Sequence, residues 1–163
     1  MEFNYNTWQT EAQKKKKENK SFLEKSKRIR GIENQLPDLH EEAFSKINCL
    51  NCANCCKTIS PRFKTPDIVR ISKFLGMKQS EMIEKYLRLD SDGDYVVKKL
   101  PCPFLGTDSF CSIYEARPRD CEKYPYTDSR EFFEYTNTTF QNSTICPAVY
   151  YVLERLKKKF KKS

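Results

Sequence analysis

The stretch Cys49-Leu-Asn-Cys-Ala-Asn-Cys-Cys56 places four thiols within eight residues of a 163-residue chain that holds eight cysteines in all. The remaining cysteines are spread over the second half of the chain: Cys102, Cys111, Cys121 and Cys146. Hydrophobic residues make up 38% of the chain and the mean hydropathy is −0.78, so material for an apolar core is scarce. A chain short of core gains from a disulfide or metal staple, and cysteines can supply either one. The eight thiols are therefore the feature that most constrains the fold.

The compartment in which a chain folds decides whether its thiols become disulfides. Residues 1–10 lack the cationic and apolar regions of a signal peptide, and no apolar run approaches the roughly 20 residues that span a bilayer. We therefore expect a cytoplasmic protein with no membrane partner, whose thiols stay reduced. In addition, the neighbours Cys55 and Cys56 could bridge only in a strained ring. These points favour metal binding over a disulfide framework.

Structural zinc is one interpretation of the cysteine pattern. The pair Cys49-x2-Cys52 is a knuckle that directs two sulfurs to one side, but no second isolated C-x-x-C pair follows it. Distant cysteines would then complete the site, and eight thiols are enough for two ions. The only histidine, His40, lies on a predicted helix, where we expect a surface residue rather than a ligand. A thioredoxin-like redox site is not favoured, because the C-x-x-C pair follows a predicted helix instead of preceding one.

An iron–sulfur cluster is a second interpretation. The CxxCxxC run that begins at Cys49 has the spacing that opens the bacterial ferredoxin ligand set, in which the remote cysteine precedes proline. Both Cys102 and Cys146 are followed by proline. We expect Cys56 to point away from Cys55 and to serve a second centre or none. Spacing alone leaves zinc and iron–sulfur both open.

All eight cysteines are candidate metal ligands: Cys49, Cys52, Cys55, Cys56, Cys102, Cys111, Cys121 and Cys146. Two further residues, Arg117 and Tyr124, flank the third of the later cysteines and are expected to support the ligands. An arginine beside clustered thiolates donates hydrogen bonds and offsets their negative charge.

The net charge of +8 lies at the two ends of the chain. Residues 1–30 hold nine Lys or Arg against four Glu, and residues 154–163 hold six against one, so residues 31–153 carry a net −2. The lysine runs at 14–17 and 157–159 are expected to form solvated helix faces. Nucleic-acid binding through these ends is only weakly supported, since few aromatic residues accompany the lysines. A protein partner remains an alternative.

Periodicity and helix signals predict an α-rich small α+β fold, a single metal-stapled domain with a few short strands and helical extensions at both ends. We divide it into a basic helical extension at 1–34, a cysteine-cluster domain at 35–156 and a basic tail at 157–163. The predicted helices are 7–30, which is expected to project or to dock weakly, 37–47, 65–75, 79–89 and one that opens at Pro147. The predicted strands are 95–97 and 110–114, with a turn at 90–94 and a loop at 122–145.

The combined motifs resemble a known family. The eight-residue stretch at 49–56 is followed by Pro101-Cys-Pro-Phe-Leu105 and by Cys111-Ser-Ile-Tyr-Glu-x-Arg-Pro-x-x-Cys-x-x-Tyr-Pro125. This order is similar to that of the YkgJ-like cysteine-cluster (CxxCxxCC) proteins, a family described as zinc- or iron-chelating. The resemblance implies a small intracellular metal-chelating domain, with the metal left open.

Catalysis is not assigned by the sequence. Four glycines and no G-x-G-x-x-G motif argue against a nucleotide loop, and a single histidine limits acid–base chemistry. A related cysteine cluster occurs in flagellin lysine methylases, so the chemistry implied for an enzyme of this kind is iron–sulfur-dependent redox or methyl transfer. The runner-up to simple chelation is a structural zinc module whose basic ends bind protein or nucleic acid.

Overall fold

The computed structural model describes residues 3–160. The chain divides into two compact units, a terminal unit formed by Met1–Cys49 with Pro125–Ser163 and a central unit formed by Leu50–Tyr124. Over the described residues the structure is rich in helix and holds one sheet of two strands. None of the helices in this part of the chain has the length and apolarity needed to cross a membrane. The small α+β fold predicted from the sequence is confirmed at this level.

The terminal unit is built from helices. Its α-helices are α1 (Trp8–Lys14), α2 (Lys16–Ser26), α3 (Leu36–Phe44), α8 (Glu131–Glu134), α9 (Thr136–Asn142) and α10 (Pro147–Phe160). A 3-10 turn at Ile32–Gln35 leads into α3. The core between these helices is apolar and includes Ala12, Leu23, Leu36, Phe132, Val149, Val152 and Leu153.

The first predicted helix is interrupted and docks closely. It breaks at Lys15, whose φ and ψ are −88° and 6°, and it ends at Ser26 instead of continuing to residue 30. No proline or glycine marks the break, so it could not be predicted from the local residues. The prediction that this segment projects is also wrong: Trp8, Ala12 and Leu23 are buried. Gly31 does have a left-handed φ of 73°, but it lies five residues beyond the end of α2 and directly before the 3-10 turn Ile32–Gln35.

One lysine of the basic C-terminal run is part of the core. Lys157 is 3% exposed, and its Nζ donates a 2.7 Å hydrogen bond to Oδ1 of the buried Asn19. It also forms ion pairs with Glu18 and Glu154. The prediction of a solvated face at 157–159 is therefore wrong for its first residue, because carboxylates from two helices neutralise the buried ammonium. The tail residues 161–163 lie outside the described part of the chain.

The central unit carries the sheet and four helices. Its elements are α4 (Asn54–Thr58), α5 (Thr65–Leu75), α6 (Gln79–Tyr86), β1 (Leu87–Leu89), β2 (Tyr95–Val97) and α7 (Arg119–Lys123). Strands β1 and β2 pair antiparallel, with Leu87 opposite Val97 and Leu89 opposite Tyr95. Residues from both strands join α5 and α6 around a core that includes Phe63, Ile68, Ile71, Met82, Phe104 and Ile113.

Several predicted boundaries shift, each for a local reason. The predicted helix 79–89 ends at Tyr86, because residues 87–89 pair with β2 instead. The predicted turn at 90–94 is confirmed, and Asp90 Oδ1 accepts the backbone N–H groups of Asp92 and Asp94, both at 2.9 Å. Residues 110–114 form only an isolated bridge between Leu105 and Cys111.

One loop prediction and one helix prediction in the terminal unit also need correction. The predicted loop at 122–145 contains α8 and α9, which form because Phe132, Phe133 and Thr139 are buried on them. Tertiary burial thus overrides a polar local sequence. The predicted helix 37–47 runs from Leu36 to Phe44, with its proline inside the first turn.

Candidate metal centre

The short helix α4 presents two adjacent cysteines. Ala53 precedes it with a left-handed φ of 48°, which reverses the chain between Cys52 and Cys55. The Sγ atoms of Cys55 and Cys56 lie 4.0 Å apart. The prediction that Cys56 points away from its neighbour is therefore wrong: both side chains turn to the same side of a single helical turn.

Backbone contacts bring the second cysteine segment to α4. The N–H of Cys102 donates a 2.7 Å hydrogen bond to the carbonyl oxygen of Cys56. Residues 104–112 then form a tight loop, in which the N–H of Gly106 donates to Phe110 O and the N–H of Ser112 donates to Phe104 O, both at 2.8 Å. The loop returns the chain at Cys111, and both Cys102 and Cys111 pack against the core of the central unit.

Helix α7 supplies a third segment through Cys121. The buried carboxylate of Asp67 anchors the start of this helix: its Oδ1 accepts the N–H of Arg119 at 3.1 Å and Nη2 of Arg70 at 2.8 Å. The same Nη2 donates to the carbonyl oxygen of Arg117 at 2.7 Å. A second link joins Asp120 Oδ2 to the N–H and Nε of Arg62, at 3.1 and 3.0 Å. These contacts hold the start of α7, and with it Cys121, against the first turn of α5 and the segment before it.

Four thiols from these three segments lie within electrostatic range of one another, since in each pair the charge of one thiol acts on the pKa of the other. We call them the thiol tetrad: Cys56, Cys102, Cys111 and Cys121. Burial raises the pKa of Cys102 to about 11, and the charges of Cys56 and Cys111 add to that effect. Burial also raises the pKa of Cys111, and it raises the pKa of Cys121 further, with the other three thiols acting in the same direction.

Cys56 differs from the other three members of the tetrad. Its hydrogen bond with Cys55 lowers the pKa of Cys56 to about 7, and the nearby ammonium of Lys57 acts in the same direction. One thiol of the tetrad is thus close to ionising at neutral pH, while burial and mutual repulsion keep its partners protonated. A metal cation bound among the four thiols would attract their negative charges and so favour the thiolate forms. A thiol that coordinates a metal ion therefore loses its proton.

The chemistry of the donors fits zinc or iron, although the described side chains do not yet converge on one point. No three Cys, His, Asp or Glu side chains within residues 3–160 form a group that could hold a metal ion as they stand. Zinc–sulfur bonds of about 2.3 Å in a tetrahedron place two sulfurs about 3.8 Å apart. The Sγ atoms of Cys55 and Cys56 lie 4.0 Å apart, which is near this value, although Cys55 is outside the tetrad. The tetrad would therefore have to rearrange to enclose an ion.

The remaining candidate ligands are distributed over both units. Cys52 is half-buried in the central unit, and its carbonyl oxygen accepts Nζ of Lys57 at 3.2 Å. Cys49 is exposed and Cys146 is buried, and both belong to the terminal unit. All eight cysteines lie within the described residues and are thiols rather than half-cystines.

The histidine is not the surface residue that the sequence suggested. His40 is half-buried on α3, and its Nδ1 lies 2.8 Å from Oγ1 of the buried Thr127. Its ring also lies 4.7 Å, centroid to centroid, from that of Phe44. These contacts give the imidazole a role in the packing of the terminal unit.

Of the two residues expected to support the ligands, Arg117 acts on a tetrad thiol through its charge, whereas Tyr124 is adjacent to one only along the chain. The Arg117 guanidinium stacks 4.0 Å from the centroid of the Tyr114 ring, and its Nη1 donates to Tyr114 O at 2.7 Å. Its positive charge opposes the rise that burial produces in the pKa of Cys111. Tyr124 follows Cys121 by three residues; its hydroxyl oxygen is buried and its N–H donates to Asp120 O at 3.0 Å.

Sequence reasoning missed the carboxylates that position Cys121. Neither Asp67 nor Asp120 was among the residues expected to support the ligands. A signal was available for Asp67, since an acidic residue at the third helical position often accepts the N–H of the residue before the helix. In the structure Lys64 N donates to Asp67 Oδ2 at 3.0 Å. Its ion pair with Arg70 is also a local one, between residues three apart on a helix, whereas its contact with Arg119 depends on tertiary structure.

Comparison of the chain with models of known protein families identifies its family. The model of the CxxCxxCC family, described as a putative zinc- or iron-chelating domain, matches residues 48–147. The chain belongs to the CxxCxxCC family. The matched segment of the CxxCxxCC domain includes all eight cysteines, so the family resemblance drawn from the motifs is confirmed. No solved structure matches the chain.

Proposed function

We propose that this protein binds one zinc or iron ion through the thiol tetrad. The observation that carries the proposal is the hydrogen bond from the Cys102 N–H to the Cys56 carbonyl oxygen, which joins two of the cysteine segments. The thiols of Cys56, Cys102, Cys111 and Cys121, from α4, the loop 102–111 and α7, also lie within electrostatic range of one another. Four sulfur donors form a complete tetrahedral set, which is the arrangement typical of zinc and of iron–sulfur chemistry. The description of the CxxCxxCC family as zinc- or iron-chelating supports the same assignment.

The residues around the tetrad have distinct roles in this proposal. Cys56 supplies the first thiolate, and Cys55 beside it is a fifth donor that stabilises the ionised form by hydrogen bonding. Arg117 offsets the charge of the bound thiolates, and Asp67 holds α7 in position. A bound ion supplies positive charge and four metal–sulfur bonds, which contribute folding free energy in a small domain.

Binding of an iron–sulfur cluster is the second candidate. It is favoured by the CxxCxxC run of Cys49, Cys52 and Cys55, which leads directly into the tetrad at Cys56. In that case the run and a tetrad cysteine would share the cluster, and the protein would be a redox or group-transfer component. The proposal of a single ion needs none of these additional donors.

Metal analysis of the full chain, purified without oxygen, tests both candidates. We expect one zinc or iron per chain, no acid-labile sulfide and, with zinc, a colourless protein. Iron with an equal or greater amount of sulfide and a brown colour would replace the single ion by a cluster. Protein that lacks metal after expression and also fails to take up zinc or ferrous ion in a titration would contradict metal binding altogether.

A further inference from the structure

A basic concavity lies on the terminal unit. It has a volume of about 540 Å³ and is lined by Gln13, Lys14, Lys16, Lys17, Lys20 and Phe140. We call it the lysine groove. None of its lining residues is buried, and the four lysines are exposed. It belongs to a different unit from the thiol tetrad, so metal chelation does not account for it.

The bend at Lys15 gathers these lysines. Lys14 ends α1, while Lys16, Lys17 and Lys20 lie on the first turns of α2, where residues three and four apart are neighbours on one face. Helix α9 packs beside α2 and places Phe140 at the groove. The Lys16 ammonium lies 5.7 Å from the centroid of the Phe140 ring.

Little in the groove neutralises its charge. No carboxylate is among the lining residues. Lys14 forms a 2.9 Å ion pair with Glu11, which is an exposed contact of small energy. Neighbouring ammonium groups repel one another, so a surface that holds four of them stabilises a bound polyanion.

The apolar side of α2 is not available for a lipid surface. Leu23, Asn19 and Ser26 face the interior and are buried. Among the described residues of the terminal unit, Tyr135 is the one large hydrophobic residue that is strongly exposed. Binding in a membrane interface needs an exposed apolar face beside the basic one. A polyanion in water fits this surface better than a bilayer does.

We propose that the lysine groove binds single-stranded nucleic acid. Proteins that bind single strands combine a basic groove, which follows the phosphates, with an aromatic ring on which a base stacks. The groove contains both parts: four ammonium groups for phosphates and the partly exposed Phe140 ring for a base. The sequence analysis missed this pairing, because Phe140 lies more than 100 residues from the lysines along the chain.

Fluorescence anisotropy with the full-length protein and a labelled oligo(dT) or oligo(U) of twelve nucleotides tests the proposal. We expect binding at 50 mM salt, with a slope of log K against log salt of about −3 if four phosphates are contacted. The double variant Lys17→Ala/Lys20→Ala should weaken binding about tenfold or more and make the slope shallower by about 1.4. Phe140→Leu should weaken binding about fivefold or more and leave the slope unchanged.

The matched control is Lys73→Ala/Lys85→Ala, which removes the same charge from exposed positions of the central unit. Equal loss in this control would reduce the interaction to net charge and overturn the assignment to the groove. Absence of oligonucleotide binding at 50 mM salt, or binding only to vesicles of phosphatidylcholine and phosphatidylserine, would overturn the proposal as well. Circular dichroism of each variant shows whether it remains folded.

Discussion

The backbone N–H of Cys102 donates a 2.7 Å hydrogen bond to the carbonyl oxygen of Cys56. This bond joins two cysteines that are 46 positions apart in the sequence, and it depends on neither thiol. The main chain therefore sets the distance between α4 and the loop 102–111. Two of the three segments of the tetrad are thereby held together before any ion binds.

Replacement of Cys102 by serine should remove most of the bound metal, since it deletes one of four sulfur donors. It should also lower the melting temperature, because metal binding contributes folding free energy. Cys52→Ser is the matched variant: Cys52 is a half-buried cysteine of the same unit outside the tetrad. We expect it to retain its metal in elemental analysis. Equal metal loss in the two variants would place the ligands in the CxxCxxC run and argue against the tetrad.

Asp67→Asn should destabilise the central unit and loosen α7. The carboxylate is 3% exposed and accepts hydrogen bonds from Lys64, Arg70 and Arg119. Loss of its charge leaves buried donors poorly paired, at a cost of about 1–3 kcal/mol. The urea midpoint of unfolding measures this effect. Asp92→Asn, at an exposed position in the β1–β2 turn, is the control; a similar midpoint for both variants would exclude a special role for Asp67.

Lys157→Met should strongly destabilise the terminal unit, although methionine has a similar length. The substitution leaves the buried Asn19 Oδ1 without its donor and removes one of the two ammonium groups that pair with Glu154, whose second partner Lys15 remains. A buried acceptor left unpaired costs about 1–3 kcal/mol. Lys158→Met changes the same charge at the exposed neighbouring position and should have little effect. Thermal unfolding compares the two. A stable Lys157→Met protein would mean that apolar packing compensates for the lost ion pairs.

Glu42 should make the stability of the terminal unit depend on acid pH. A hydrogen bond from Tyr151, with further contacts from Lys46 and Arg155, lowers the pKa of Glu42 from 4.5 to about 2. Because the pKa in the folded state is the lower one, the stabilisation is complete above pH 5 and is lost as the pH falls toward 2. The difference in urea midpoint between wild type and Glu42→Gln should therefore shrink over this range.

The matched variant for this pH experiment is Glu41→Gln, which removes a carboxylate from the adjacent exposed position of α3. Subtraction of its profile separates the contribution of Glu42 from the general acid sensitivity of the protein. A difference between wild type and Glu42→Gln that stays constant from pH 5 to 2 would show that the contact with Tyr151 does not bias ionisation.

Local signals predicted the elements whose boundaries depend on nearby residues. The helix at 65–75 carries a proline in its first turn and glycine after its end, and it lies at Thr65–Leu75 in the structure. The strand at 95–97 and the turn before it were likewise predicted from β-branched residues and a glycine-containing turn sequence. Family membership also followed from sequence, because the combined cysteine and proline motifs are specific.

Features that depend on tertiary contacts could not be predicted from the sequence. The break at Lys15 lies within a run of four lysines that favours helix locally. Burial of Lys157 depends on Asn19, 138 residues away. In the same way, the spacing of cysteines drew attention to Cys49 and Cys52, whereas the contact of Cys102 with Cys56 shifts attention to the later cysteines. Spacing describes donors along the chain, but long-range hydrogen bonds decide which of them meet.

X-ray absorption spectroscopy at the metal edge of the full, metal-loaded chain tests the central claim most directly. Binding by the thiol tetrad predicts four sulfur neighbours at about 2.3 Å from a single zinc or iron. The account also predicts one sulfur neighbour fewer in Cys102→Ser and an unchanged number in Cys52→Ser. A shell dominated by nitrogen or oxygen ligands, or four sulfurs that persist after Cys102 is replaced, would contradict the assignment of the site to Cys56, Cys102, Cys111 and Cys121.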